Sequence, residues 1–264
     1  SALRNIRLQH KARKTASYAN KNLRIVLDSQ EEKESLIESI EGLVNKINNK
    51  GFKPPVFKSR KDRHKMILEL MVSDVHYGAL TEREGKIVFN LEICRRRIRE
   101  LARVTLIEIE NNRKNYNIEK LIIAMLGDII ESSTMHEMES LVGCEFTNSA
   151  QVHHAIESLL EDLILPLAMT GIEIEIPAVT GNHDRTHPQK TMTQPGRHNV
   201  TWIIYNTLKL FCSRLGLKNV QFFIPEECFL VRPIFGNNVL YEHCDEVKAP
   251  TEKALEDLGL WPPK

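Results

Sequence analysis

The stretch Ile172-Glu173-Ile174-Glu175-Ile176-Pro177-Ala178-Val179-Thr180-Gly181-Asn182-His183-Asp184-Arg185 decides the fold. Its first part, Ile172 to Val179, is an apolar run that reads as a short buried strand. Gly181 then permits a sharp turn, which leaves Asn182, His183 and Asp184 clustered at the strand's end. Strand ends in α/β sheets are where ligands bind. An Asn offers a neutral carbonyl oxygen to a metal. A His offers a nitrogen that binds metal or moves a proton, and an Asp carboxylate can orient a neighbouring ring. Taken alone, Gly-Asn-His-Asp is equally compatible with a polar turn capping the next helix.

Three other hydrophobic runs end in the same kind of residue. Met66 to Val72 is followed by Ser73-Asp74-Val75-His76, and Leu121 to Leu126 by Gly127-Asp128-Ile129-Ile130-Glu131. Val239-Leu240-Tyr241 is followed by Glu242-His243-Cys244-Asp245. A solvated loop has no reason to repeat that arrangement. Around these runs the spacing predicts helices over Asn90 to Asn111, Asn148 to Met169 and Asn199 to Leu215, with further strands at Val220 to Ile224, Cys228 to Arg232 and Asn238 to His243. In the first helix Ile93, Ile98, Leu101, Val104 and Ile107 are expected inward, and the arginines, Arg95 among them, mostly outward. Strands alternating with helices place the chain in the α/β class.

With 264 residues, 42% of them hydrophobic, the chain is long enough for one large α/β domain with an appendage. A net charge of +1 selects no partner globally, so local charge decides. No apolar run approaches the length that crosses a bilayer, and the basic N-terminus lacks the apolar core of a signal peptide. Five dispersed cysteines without a Cys-x-x-Cys pair point to a reducing compartment, so a cytoplasmic location and no membrane partner are expected.

Residues 1–50 differ in composition from the rest. Arg4, Arg7, Lys11, Arg13, Lys14, Lys21 and Arg24 precede the first acid, and Leu8, Ala12, Ala16, Ala19 and Leu23 recur at helical spacing. This is a basic amphipathic helix, read either as a contact to nucleic-acid phosphates or as a solvated face. A second helix with an apolar stripe from Leu36 to Ile47 follows, and a homodimer contact through these helices is one way to bury it. Residues 51–65 read as an exposed linker, and 66–264 as the catalytic-type domain.

In order along the chain, Asp-x-His, Gly-Asp, Gly-Asn-His-Asp and a later His, each after a strand, resemble the calcineurin-like metallophosphoesterase superfamily. The resemblance implies a four-layer α-β-β-α sandwich of two mixed sheets, here with an N-terminal helical extension. It also implies two divalent metals, Mn²⁺ foremost with Fe or Zn²⁺ as alternatives. Asp74 and His76 would bind the first, Asn182 and His243 the second, and Asp128 would bridge them. His183 would protonate the leaving oxygen or stabilise the transition state, Asp184 would orient its ring, and Arg185 could contact phosphate. His136, His153, His154, His187 and His198 have no role by resemblance. The family pattern normally closes with Gly-His-x-His, and no histidine follows His243. Full-strength two-metal binding is therefore expected to need residues beyond these, or ligands drawn from His136, His187 or His198.

Gly127-Asp128-Ile129-Ile130-Glu131-Ser132-Ser133 departs from the Gly-Asp-x-Val-Asp-Arg-Gly of protein Ser/Thr phosphatases. The pattern is more similar to the bacterial and phage branch related to double-strand-break repair nucleases. That resemblance implies a DNA nuclease in the cytoplasm, or in the host cytoplasm for a phage protein, with Arg4, Arg7, Lys11 and Lys14 on the DNA backbone. Two alternatives stand beside it. One is a phosphoesterase for nucleotides or lipid-linked phosphates, and the other is a non-catalytic binding protein that keeps the fold.

Overall fold

A computed structural model describes residues 63–133, 143–186 and 196–244. The expected N-terminal helices, most of the 51–65 linker, the helix near Thr251 to Leu258, and Arg4, Arg7, Lys11, Lys14, His136 and His187 lie outside the described residues. β1 (Lys65–Val72) leads into a small hairpin of β2 (Thr81–Arg83) and β3 (Lys86–Phe89). Then come α1 (Leu91–Asn112), β4 (Asn117–Met125), α2 (Asn148–Ser158), a π-helical stretch at Leu159–Ile164, α3 (Leu165–Ala168) and β5 (Glu173–Pro177). A 3₁₀ turn at Gly196–His198, α4 (Val200–Arg214), β6 (Val220–Phe223), β7 (Phe229–Ile234) and β8 (Asn237–Glu242) complete the order.

β1, β4, β5 and β6 pair in that spatial order, and every pairing is parallel. Each crossover steps the same way across the sheet. Because such crossovers are right-handed, this order puts their helices on one face. Leu121, Ile123 and Met125 of β4 share that face's core with Ile98 and Ile109 of α1, Leu160, and Tyr205 and Phe211 of α4. The alternate β4 residues, Ile122 and Ala124, point the other way. With Val179 they pack against Leu230, Val239 and Tyr241 of the antiparallel β7–β8 pair. The result is a mixed α/β fold with a four-stranded parallel sheet, helices on one face and a two-stranded antiparallel sheet on the other.

Charge ties this second layer to the first. Glu175 of β5 pairs with Lys120 of β4 and, at 3.5 Å, with Arg232 of β7, whose guanidinium lies 3.6 Å from the Phe223 ring centroid. α1 corrects one sequence expectation. Its buried stripe is Cys94, Ile98, Ala102, Thr105 and Ile109, while Val104 and Ile107 are exposed. The period of 3.6 residues set by Ile98 admits small Ala102 and Thr105 and turns the larger side chains out. Arg95 is also directed inward, where it bonds Glu157 and Asp162. The π-helical turns precede Pro166, whose ring has no N–H to donate and crowds the turn before it. Among the described residues no helix is long and apolar enough to cross a membrane.

Candidate metal centre

Because β1, β4 and β5 are parallel neighbours, their carboxyl ends meet at one edge of the sheet. The loops beyond them stay zipped together. Leu126 N–H donates to Val72 O at 2.8 Å, Asp74 N–H to Gly127 O at 3.2 Å, His76 N–H to Asp128 O at 3.0 Å and Tyr77 N–H to Ile129 O at 2.8 Å. On the other side Val179 N–H donates to Met125 O at 2.9 Å. Asp74, His76 and Asp128 all take left-handed backbone, with φ of 54°, 53° and 50°. That conformation costs a side-chain-bearing residue about 1 kcal/mol or more, and such residues gather at functional sites. Gly127 and Gly181 let two of the turns touch. A Cβ on Gly127 would lie 2.3 Å from Gly181 N, and one on Gly181 would lie 2.1 Å from Asp128 Oδ1.

Asp128 sits at the centre and is buried. Its Oδ1 accepts the His183 N–H at 2.8 Å, and its Oδ2 lies 3.2 Å from His243 Nε2. That same His243 nitrogen is 3.1 Å from Asn182 Oδ1, and its Nδ1 is 2.7 Å from Leu126 O. A carbonyl can only accept, so Nδ1 carries a proton, and in the neutral ring Nε2 is the nitrogen with the free lone pair. Donors sharing a metal at about 2.1 Å stand roughly 3 to 3.4 Å apart, and His243 Nε2 has that spacing to both Asp128 Oδ2 and Asn182 Oδ1. Asp74, His76 and Asp128 form a second group, each offering one donor within 4.8 Å of the others. His76 Nδ1 is 2.9 Å from Glu131 Oε2, while Nε2 is 3.8 Å from Asp74 Oδ1.

The electrostatics are those of a site that draws positive charge. The hydrogen bond to Asp128 raises the His243 pKa to about 9 against the resistance of burial. Burial pulls His76 down, but Glu131, Asp128 and Asp74 outweigh it and leave its pKa raised. Burial also acts to raise Asp128, and His243 and the His183 N–H hold it below its ordinary value. A proton on His243 thus sits where a cation is favoured. The mixed oxygen and nitrogen donors suit Mn²⁺, Fe or Zn²⁺ better than Ca²⁺.

Asp184 takes a different part from the one expected. It is fully buried, and its carboxylate accepts N–H groups from Gly181 at 2.6 Å, Asp128 at 3.0 Å and Ile129 at 3.2 Å. It therefore clamps the turns after β4 and β5 together. Burial pushes its pKa up to about 6, with the N–H donors pulling the other way. The ring of His183 is held instead by the Glu131 main chain, whose carbonyl is 2.7 Å from Nδ1. Glu131 thus touches both His76 and His183 and belongs to the site. Its signal in the sequence was an acid three residues after Asp128. Arg185 follows on the same turn and is half-buried, whereas His198 is exposed on its 3₁₀ turn. No protein-family model matches the chain, and no curated protein matches its sequence.

Proposed function

We propose that the chain is a two-metal phosphodiesterase of the calcineurin-like metallophosphoesterase kind that acts on DNA as a nuclease. One observation carries the reading: Asp74, His76, Asp128, Asn182, His183 and His243 come from four strand ends to one place, with Asp128 between two donor groups. Asp74, His76 and Asp128 would hold one divalent ion, and Asp128, Asn182 and His243 the other, with Mn²⁺ foremost. Such ions supply a nucleophilic water at neutral pH and offset charge on the phosphate.

The chain's own groups do the rest. His183 presents Nε2 to the leaving oxygen. Since Nδ1 faces a carbonyl, Nε2 carries a proton only in the cationic ring. Arg185 would meet a phosphate oxygen. Arg4, Arg7, Lys11 and Lys14 supply the backbone contacts that make nucleic-acid binding salt-dependent, and their helices supply the homodimer contact. The antiparallel β7–β8 pair is the first part of a second sheet in a four-layer sandwich, with the N-terminal helices as an extension. The protein works in the cytoplasm.

A small-molecule phosphoester is the second reading, favoured by a cavity of about 260 Å³ beside Asp74 that is lined by Phe89, Ile98 and Leu101. The deciding experiment is Mn²⁺-dependent cleavage of end-labelled single- and double-stranded DNA, with Asp128→Ala as control. Cleavage that the control abolishes supports the nuclease. Cleavage equal in the control, or none from folded, Mn²⁺-loaded protein, removes it. In the latter case, hydrolysis of cyclic nucleotides lost in Asp128→Ala selects the second reading.

A further inference from the structure

On α2, away from the strand-end centre, His153, His154 and Glu157 lie close together. His153 and Glu157 are four residues apart and His154 and Glu157 three, so all three share one side of the helix. Adjacent side chains normally diverge, yet the two imidazole centroids are only 5.3 Å apart. One donor atom from each of the three residues lies within 4.8 Å of the others. Nδ1 of each ring is shut off from solvent and has no hydrogen-bond partner. A buried ring nitrogen without a partner is costly, and two stand side by side here.

We propose that His153, His154 and Glu157 form a separate metal site for Zn²⁺ or a similar late first-row divalent ion. Imidazole donors favour such ions, whereas the oxygen-rich strand-end centre favours Mn²⁺. The Phe146 ring packs 4.8 Å from that of His154 and braces it in place. Arg95 fixes Glu157 through Oε2 at 2.9 Å and so holds the carboxylate beside the two rings. Three protein donors, rather than the four of a closed structural site, leave room for water in the coordination shell. An ion there would join the α2 side chains directly above the Arg95 contact to α1, and so stiffen the helical layer without touching the phosphodiesterase chemistry.

The test is Zn²⁺ titration of the full chain carrying His76→Ala, Asp128→Ala and His243→Ala, which takes a donor from each group at the strand-end centre. One Zn²⁺ equivalent is expected to remain. Adding His153→Gln and His154→Gln is expected to weaken it at least tenfold, with the circular dichroism unchanged. Co²⁺ in place of Zn²⁺ is expected to give a low-coordinate visible absorption band that the same changes remove. An equivalent that survives the glutamine changes overturns the proposal, as does the absence of any Zn²⁺ on natively folded protein. Should the combined variant not fold, His153→Gln and Glu157→Gln made singly in the unaltered chain carry the same expectation, read as loss of one Zn²⁺ equivalent under excess Mn²⁺. None of these readouts depends on phosphodiesterase activity.

Discussion

Replacing Gly181 by alanine puts a Cβ 2.1 Å from Asp128 Oδ1 and 2.5 Å from the Asp128 main-chain nitrogen. Ordinary contact begins near 3.4 Å, so the carboxylate must retreat by more than an ångström or the two turns must part. Either movement breaks the His183 N–H bond to Oδ1, now 2.8 Å. A hydrogen bond to a charged group is worth about 1.5 to 3 kcal/mol and overpacking costs about 1 to 3 kcal/mol, so Gly181→Ala is expected to lose about 3 to 5 kcal/mol of stability. The same retreat moves the shared oxygen donor and is expected to lower Mn²⁺ affinity about tenfold or more. Gly216→Ala is the control. Gly216 has φ of +70°, but a methyl group there would meet nothing within 4 Å, so the backbone penalty of about 1 kcal/mol stands alone. Urea unfolding and Mn²⁺ calorimetry on both variants compare them directly. Equal losses in the two, with Mn²⁺ binding intact in Gly181→Ala, would refute the argument that the glycines exist to let the turns touch.

Three further outcomes are expected. Asp184→Asn replaces a carboxylate that accepts three main-chain N–H groups with an amide that has one acceptor oxygen, and urea unfolding should show a loss of about 2 to 4 kcal/mol. In metal-free protein the His243 pKa is raised from 6.5 to about 9, so the folded state holds this proton more tightly than the unfolded chain. The stabilisation is complete below pH 6.5 and is lost as pH rises through 9, a fall in unfolding midpoint that His243→Gln should flatten. Because that proton competes with a metal for Nε2, Mn²⁺ affinity should rise over the same interval. Glu175→Gln removes the charge that pairs Lys120 with Arg232 and should cost about 2 kcal/mol, less than for a fully buried pair because both cations are partly exposed. A loss under half of that, by urea unfolding, would mean that apolar packing alone holds β7–β8 to the sheet.

The elements, and the order of the polar residues at their ends, were legible in one dimension. Apolar runs of strand length before Asp74, Asp128 and Asn182 are local patterns, and local patterns need no knowledge of distant neighbours. The helices α1, α2 and α4 were legible for the same reason, since a stripe repeating every 3.6 residues names its own structure. Whatever depends on which segments become neighbours had to wait for three dimensions. The rotation of α1 followed from the close approach that Ala102 and Thr105 allow, so Val104 and Ile107 face out although they are the more apolar choice. The small β2–β3 hairpin has too few residues to show a period. Asp184 stands beside His183 in sequence, which suggested a partner for its ring, yet adjacency along a tight turn sends neighbouring side chains in different directions. The carboxylate therefore closes on the main chain of Asp128 and Ile129, and Glu131, from another strand end, holds the ring. The order of residues sets which donors are available. Which of them share a charge is decided by packing, because parallel strands roughly 4.8 Å apart bring side chains distant in the chain closer together than many that adjoin in it.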